Sequence, residues 1–201
     1  MISKKKFISA ILAISIVAAL AVGGTLAYLT STTSPITNTF TVGNVKITMD
    51  EAKVNDAGEP VDANGDVVAL ANAPRVTANT YKLMPGHTYT KDPTIKVDAT
   101  SEDCWLFVKI TDEITAIEGA TTVANQLTAK NWTAVKGQDG VYAYANKVSA
   151  NASVPVFGTF TIANNADVSG YAGKTITLVA CAVQADGFAT AAAAAEHAVF
   201  G

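Results

Sequence analysis

The sequence predicts an all-β domain, a two-sheet sandwich or a barrel, and three observations carry that expectation. Apolar residues alternate with polar ones over six to nine short runs, clusters of turn-forming residues separate the runs, and 25 of the 201 residues are threonine. Charged residues make up only 15% of the chain, well below the roughly 25% usual for soluble domains, which excludes a long charged coiled coil. A net charge of −3 offers no basic footprint for DNA or RNA, so nucleic acid is set aside as a partner. The length suits about one domain.

The amino terminus reads as an address. Lys4, Lys5 and Lys6 precede an apolar stretch from Phe7 to Val22, and the small residues Gly23, Gly24, Thr25 and Ala27 follow. That order is a secretory signal peptide over residues 1–27, which confines membrane contact to the signal itself. A permanent anchor is the competing reading, since Phe7 to Tyr28 is 22 residues and about 20 cross a bilayer. Two cut sites fit, after Ala21 and after Ala27. Cleavage after Ala27 leaves a secreted domain at 28–201: 174 of the 201 residues, 11 basic against 17 acidic once the three lysines are gone, net −6. Export permits a disulfide, so for Cys104 and Cys181 a bridge, two buried thiols and a metal pair are all open.

Each element then follows from its pattern. Ile36, Phe40 and Val42 are apolar at even positions, whereas Val45, Ile47 and Met49 are odd; the phase changes at Gly43-Asn44, where a bulge or bend is expected. Asn55 to Pro60 and Asp62 to Asp66 are loop tips. Strands are expected over Val76 to Leu83 and Thr94 to Val97, with Met84-Pro85-Gly86 and Lys91-Asp92-Pro93 as punctuation. The unbroken apolar run from Cys104 to Val108 marks a central strand buried on both faces. Residues 140–144, Val154 to Ile162 and Thr175 to Gln184 complete the set, with Pro155 arguing for an edge. Helix is the minority state: a short one around Val123 and Leu127, and an alanine run to Glu196 capped by Thr190.

Catalytic chemistry finds little support. The chain has no G-x-S-x-G, no phosphate loop and no H-E-x-x-H. Its two histidines fall short of the three protein ligands a catalytic zinc usually takes. His87 reads as a surface or strand-start residue, and His197 suits the end of a helix. Asp62-x-Asn64-x-Asp66 begins like a calcium loop but has Val67 and Ala73 where glycine and glutamate are required. The pairs Asp50-Glu51, Glu102-Asp103 and Asp112-Glu113 are expected to flank strands as solvated ends. No catalytic, cofactor-binding or metal residue is assigned.

Several segments carry a resemblance. Gly23-Gly24-Thr25-Leu26-Ala27-Tyr28-Leu29, then Asn38-Thr39-Phe40-Thr41-Val42-Gly43, resemble the signal junction and first motif of the TasA/camelysin family. Asn79 to Gly86, Asp92 to Ile95, Cys104 to Ile110, Val141 to Tyr144 and Ala185 to Phe188 add weaker matches in the same order. The resemblance implies a jelly-roll-like β-sandwich, export from a Gram-positive bacterium through the dedicated signal peptidase SipW, cleavage between Ala27 and Tyr28, and self-assembly into fibres of the biofilm matrix or cell surface. An anchoring or nucleating matrix protein is a further partner it suggests. Some members are described as metallopeptidases, a secreted activity that this sequence supplies with no zinc motif.

A route to fibres also follows from the residues. Once cleaved, residues 28–42 form a Thr/Ser-rich segment whose Tyr28, Ile36, Phe40 and Val42 are candidate anchors of a donor strand added to a neighbour's sheet edge. The same residues could instead form the first strand of their own domain. A monomeric surface adhesin or binding sandwich is the remaining alternative.

Overall fold

The computed structural model describes residues 43–200. The signal peptide, the Ala27-Tyr28 junction and the anchors Tyr28, Ile36, Phe40 and Val42 lie outside them. Among the described residues the protein is all-β, with three antiparallel sheets and a few short helices. One sheet has the order β2 (Arg75–Val76), β1 (Ile47–Ala52), β4 (Thr94–Val97), β8 (Ser153–Pro155). The second runs β10 (Ile176–Gln184), β5 (Cys104–Asp112), β7 (Val141–Tyr144), β6 (Trp132–Ala134). A two-stranded sheet pairs β3 (Thr88–Thr90) with β9 (Thr159–Thr161).

The inner rows of the two larger sheets meet in one core, the arrangement of a sandwich. Ile47 and Met49 of β1, Ile95 and Val97 of β4 and Val154 of β8 face Cys104, Leu106, Val108 and Ile110 of β5. Trp132, Tyr89 and Phe160 are buried in the same core, and the Trp132 indole donates to the Pro155 carbonyl at 3.1 Å. Each fully buried aliphatic side chain contributes about 2 kcal/mol. β5 is the central strand its apolar run foretells, buried on both faces from Cys104 to Val108. Its other row, Trp105 and Phe107, packs with Ala143, Ala185, Ala191, Ala194 and Ala195 in a second, smaller core. The C-terminal segment supplies most of that cover, including helix α2 (Ala191–Ala194), where Thr190 accepts a hydrogen bond from the Ala193 amide as expected. Helix α1 (Val123–Ala129) buries Val123 and Leu127, four apart on one face, with Thr122 as its cap.

Two predicted strands break. Val154 to Ile162 keeps its buried parity at Val154, Val156, Phe160 and Ile162, but Phe157 turns inward too, separating β8 from β9. Gln126 of α1 bridges that break. Its carbonyl oxygen accepts from the Gly158 and Thr159 amides at 3.1 and 3.2 Å, and its amide nitrogen donates to the Thr159 carbonyl at 2.6 Å. β8 sits on the edge, as Pro155 predicts. Among the described residues the expected strand to Leu83 forms no ladder beyond Val76, although Asn79, Tyr81 and Leu83 still turn inward on alternate positions. Side chains hold much of this strap instead, with one main-chain bond from the Lys82 amide to the Asp56 carbonyl at 2.8 Å. Asp50 and Glu51 also depart from expectation, lying inside β1 with ion-pair partners rather than as solvated ends.

The tip at Asn55–Pro60 is a turn, with Gly58 at φ +75° pressed against β3; a Cβ there would stand 2.8 Å from the Tyr89 Cα. The Cys104–Cys181 bridge is corrected: both cysteines are free. In the β5–β10 register Cys104 stands opposite Gln184 and Cys181 opposite Phe107, three positions apart. That is about 10 Å along the ladder, where a disulfide requires Cα atoms within about 7 Å. Their side chains also occupy different cores, on opposite faces of the sheet.

Glu118 is half-buried beside the start of α1, accepts from the Val123 amide at 3.1 Å, and is raised from 4.5 to about 7, chiefly by burial with Asp112 adding repulsion. A folded state that holds this proton longer than the unfolded chain is most stable below pH 4.5 and loses that contribution as pH rises through 7. Glu118→Gln should therefore flatten the fall in urea midpoint between pH 5 and 8. Gln126→Ala, by stranding the Gly158 and Thr159 amides, should cost about 2 kcal/mol in the same unfolding measurement.

Candidate functional site

Two edges and a groove form the candidate site. β10 is nine residues long and pairs only on one side among the described residues. The Glu113 amide donates to the Thr175 carbonyl and the Ala185 amide to the Asp103 carbonyl, so the odd residues of β10 turn their main chain to β5. Its even residues, Ile176, Leu178, Ala180 and Ala182, therefore present N–H and C=O groups on the open side, while their side chains lean on the main core. β1 has a similar stretch. The Asp98 amide donates to the Lys46 carbonyl and that of Lys53 to the Pro74 carbonyl, which directs the main chain of Ile47 and Met49 away from β4, on the side that β2 does not reach.

Between β10 and β1 lies an open groove of about 760 Å³. Met49, Leu83, Ile114, Phe160, Ile176 and Leu178 form much of its apolar wall, and the strap from Val76 to Leu83 runs along one side. Tyr81 is set into the core by edge-on contacts with Tyr89 and Phe160 at 5.8 and 5.0 Å between ring centres. Its hydroxyl donates to the Thr90 carbonyl at 3.1 Å, and burial pushes the phenol well above its ordinary value.

One end of the groove is polar and buried. The inner row of β1 continues from Ile47 and Met49 to Glu51, 5% exposed, and Lys91 reaches it from the residues before β4, 8% exposed. The Lys91 Nζ stands 2.7 Å from Glu51 Oε2. Asn79 of the strap donates to Glu51 Oε1 and to the Ala52 carbonyl, both at 2.9 Å, and accepts from the Val54 amide at 3.0 Å. Acceptance on one side and donation on the other fix the orientation of that amide. On the outer row of β1, Asp50 is paired with Lys96 at 2.6 Å and with Arg75 at 2.7 Å, and Arg75 also pairs with Asp92. Those cations hold the Asp50 carboxyl below its usual value against the opposing effect of burial. Asp92 in turn accepts from the Ala52 amide at 2.7 Å, so a side chain serves where the β1–β4 ladder ends.

The residues singled out from sequence do not converge here. His87 bonds the Ala57 carbonyl at 2.8 Å and packs edge-on to Tyr89, and His197 lies against Phe188. Asp62 closes its own turn, accepting from the Asn64 and Asp66 amides at 2.8 and 3.0 Å. Among the described residues no group of three His, Cys, Asp or Glu side chains stands together as a metal site. The Glu51–Lys91–Asn79 cluster escaped sequence reading; its signal is the parity of Glu51, which continues the apolar row of Ile47 and Met49.

Glu51→Ala leaves the Lys91 ammonium buried without its partner. It should cost about 3–5 kcal/mol in denaturant unfolding, far more than removing an exposed pair such as Lys46–Asp98.

No family model matches the chain, nor does any curated protein or solved structure, so function is read from the open edge, the groove and the buried cluster.

Proposed function

We propose that the chain is a secreted structural protein, a subunit of an extracellular biofilm-matrix or cell-surface fibre that assembles by strand addition. The observation that carries this is the open edge of β10 beside an apolar groove. A long edge strand with unpaired main-chain groups is a template for another strand, and natural proteins ordinarily shield such edges with charge, proline or bulges. From Ile176 to Val183 β10 carries no charged residue and no proline.

The occupant is the segment at 28–42 of another copy, with Tyr28, Ile36, Phe40 and Val42 as anchors. Its alternate apolar residues suit a groove walled by Met49, Leu83, Phe160 and Leu178, while its main chain completes the β10 ladder. A contact of this kind is heterologous and does not close on itself, so repetition gives a filament. The resemblance of the amino-terminal motifs to TasA/camelysin proteins supports the same reading, with a jelly-roll-like sandwich, processing by SipW between Ala27 and Tyr28, and an anchoring or nucleating matrix protein as an additional partner. The function is structural rather than enzymatic.

Residues 28–201, purified and incubated, should form filaments visible by electron microscopy. Deleting residues 28–36 should abolish them. Ala180→Pro removes an N–H from the open side of β10 while sparing the β5 ladder, and should leave a folded monomer that does not polymerise. Unchanged filaments from both variants would overturn strand addition.

A further inference from the structure

The buried end of the groove holds the parts of a self-catalysed amide transfer, an activity separate from strand addition. We propose that Lys91 and Asn79 join in an intramolecular isopeptide bond, with Glu51 as the proton carrier.

That chemistry makes three requirements, and the residues of the cluster bear on each. An amine must be held beside the acyl carbon it attacks. Lys91 Nζ and Asn79 Nδ2 bind the two oxygens of a single carboxylate, at 2.7 and 2.9 Å, so Glu51 gathers the amine and the amide on one group. The carbonyl under attack must have a donor where negative charge develops. The Val54 amide donates to Asn79 Oδ1 at 3.0 Å, and the Ala52 carbonyl keeps Nδ2 turned toward Glu51. The amine must also lose its proton and its water. Glu51 and Lys91 are almost fully buried, and Nζ stands 2.7 Å from Glu51 Oε2, so the carboxylate is in place to take the proton directly.

The step balances without any other reagent. Glu51 accepts a proton from the Lys91 ammonium, and the freed lone pair on Nζ forms a bond to Asn79 Cγ. The carbonyl π pair moves onto Oδ1, where the Val54 N–H receives it. Glu51 passes its proton to Nδ2, the carbonyl re-forms as the Cγ–Nδ2 bond breaks, and ammonia leaves. Of the two protons still on Nζ one stays as the N–H of the new amide, and the other passes to Glu51 and is carried off by the departing ammonia as ammonium. An ammonium and a primary amide have become a secondary amide and an ammonium ion, and nothing is oxidised or reduced. Glu51, Asn79 and Lys91 all line the open groove, which gives the ammonia an exit. The new bond ties the strap, which has no ladder among the described residues, to the residue that leads into β4.

Intact-mass measurement of the purified full-length chain, whatever its amino-terminal processing, tests this. The chain should be lighter than its sequence requires by one ammonia, and proteolysis should release a branched peptide containing both Asn79 and Lys91. Glu51→Gln and Lys91→Met should keep the full sequence mass while retaining the β-sheet circular dichroism of the parent. If either variant fails to fold, the branched peptide of the parent decides alone. A parent chain at its full sequence mass after prolonged incubation overturns the proposal. So does an ammonia loss that maps to a succinimide at Asn64-Gly65, or one that survives in Lys91→Met.

Discussion

The structure depends on one constraint, the two-residue period of β5. Because successive side chains of a strand point to opposite faces, Cys104, Leu106, Val108 and Ile110 enter the main core while Trp105 and Phe107 enter the smaller one. A register slip of one residue would exchange the two rows and empty both. The long ladder with β10 and the shorter pairing with β7 hold that register. The rest of the fold is layered around it, with β1, β4 and β8 on one side and the alanine-rich C-terminal segment on the other. The second core is built largely of alanines, so it depends on close approach of backbone to Trp105 and Phe107, and the bond from the Trp105 indole to the Phe188 carbonyl at 3.2 Å fixes that approach.

Where a ladder runs out, side chains take over its hydrogen bonds. Gln126 serves the break between β8 and β9, Asp92 receives the amide at the end of β1, and Asn79 both accepts and donates along the same edge. Buried backbone groups must be satisfied, and a carboxylate or primary amide at the right place satisfies one without another strand. In the strap this gives a segment whose backbone looks irregular while its alternate residues still fill the core. The same economy concentrates polar side chains beside the groove, where Asn79, Glu51 and Lys91 come together.

Much of the fold was legible in the sequence because period-two alternation and turn residues are local. β4, β5, β7 and β10 stand where their patterns place them, and Pro155 marks a true edge. The two helices follow from Thr190 as a cap and from the placing of Val123 and Leu127, while the cap at Thr122 emerges only in the structure. What could not be read is what depends on non-local geometry. The alternation from Val76 to Leu83 is real, yet whether a strand finds a partner is decided by residues far away in sequence. The cysteines look pairable as a count of two; only the register, and the face each occupies, separates them. The charged cluster was hidden for a related reason, since Glu51 reads as a strand-end acid until Lys91 and Asn79 are brought to it from 40 and 28 positions along the chain.

Under the strand-addition proposal, the edge of β10 left open among the described residues would give an assembly a direction. A polymer joined by the strand of one copy on the edge of the next has unlike ends, one exposing an unfilled groove and the other an unused strand. Growth at the two ends would use different chemistry: arriving subunits offer a strand to one end and an edge to the other. A chain that retained its edge but lacked the strand would add only at one end and then stop it, so a small proportion of such chains would set filament length rather than filament number. Under that proposal the share of chains lacking the strand would control length, with no separate capping protein.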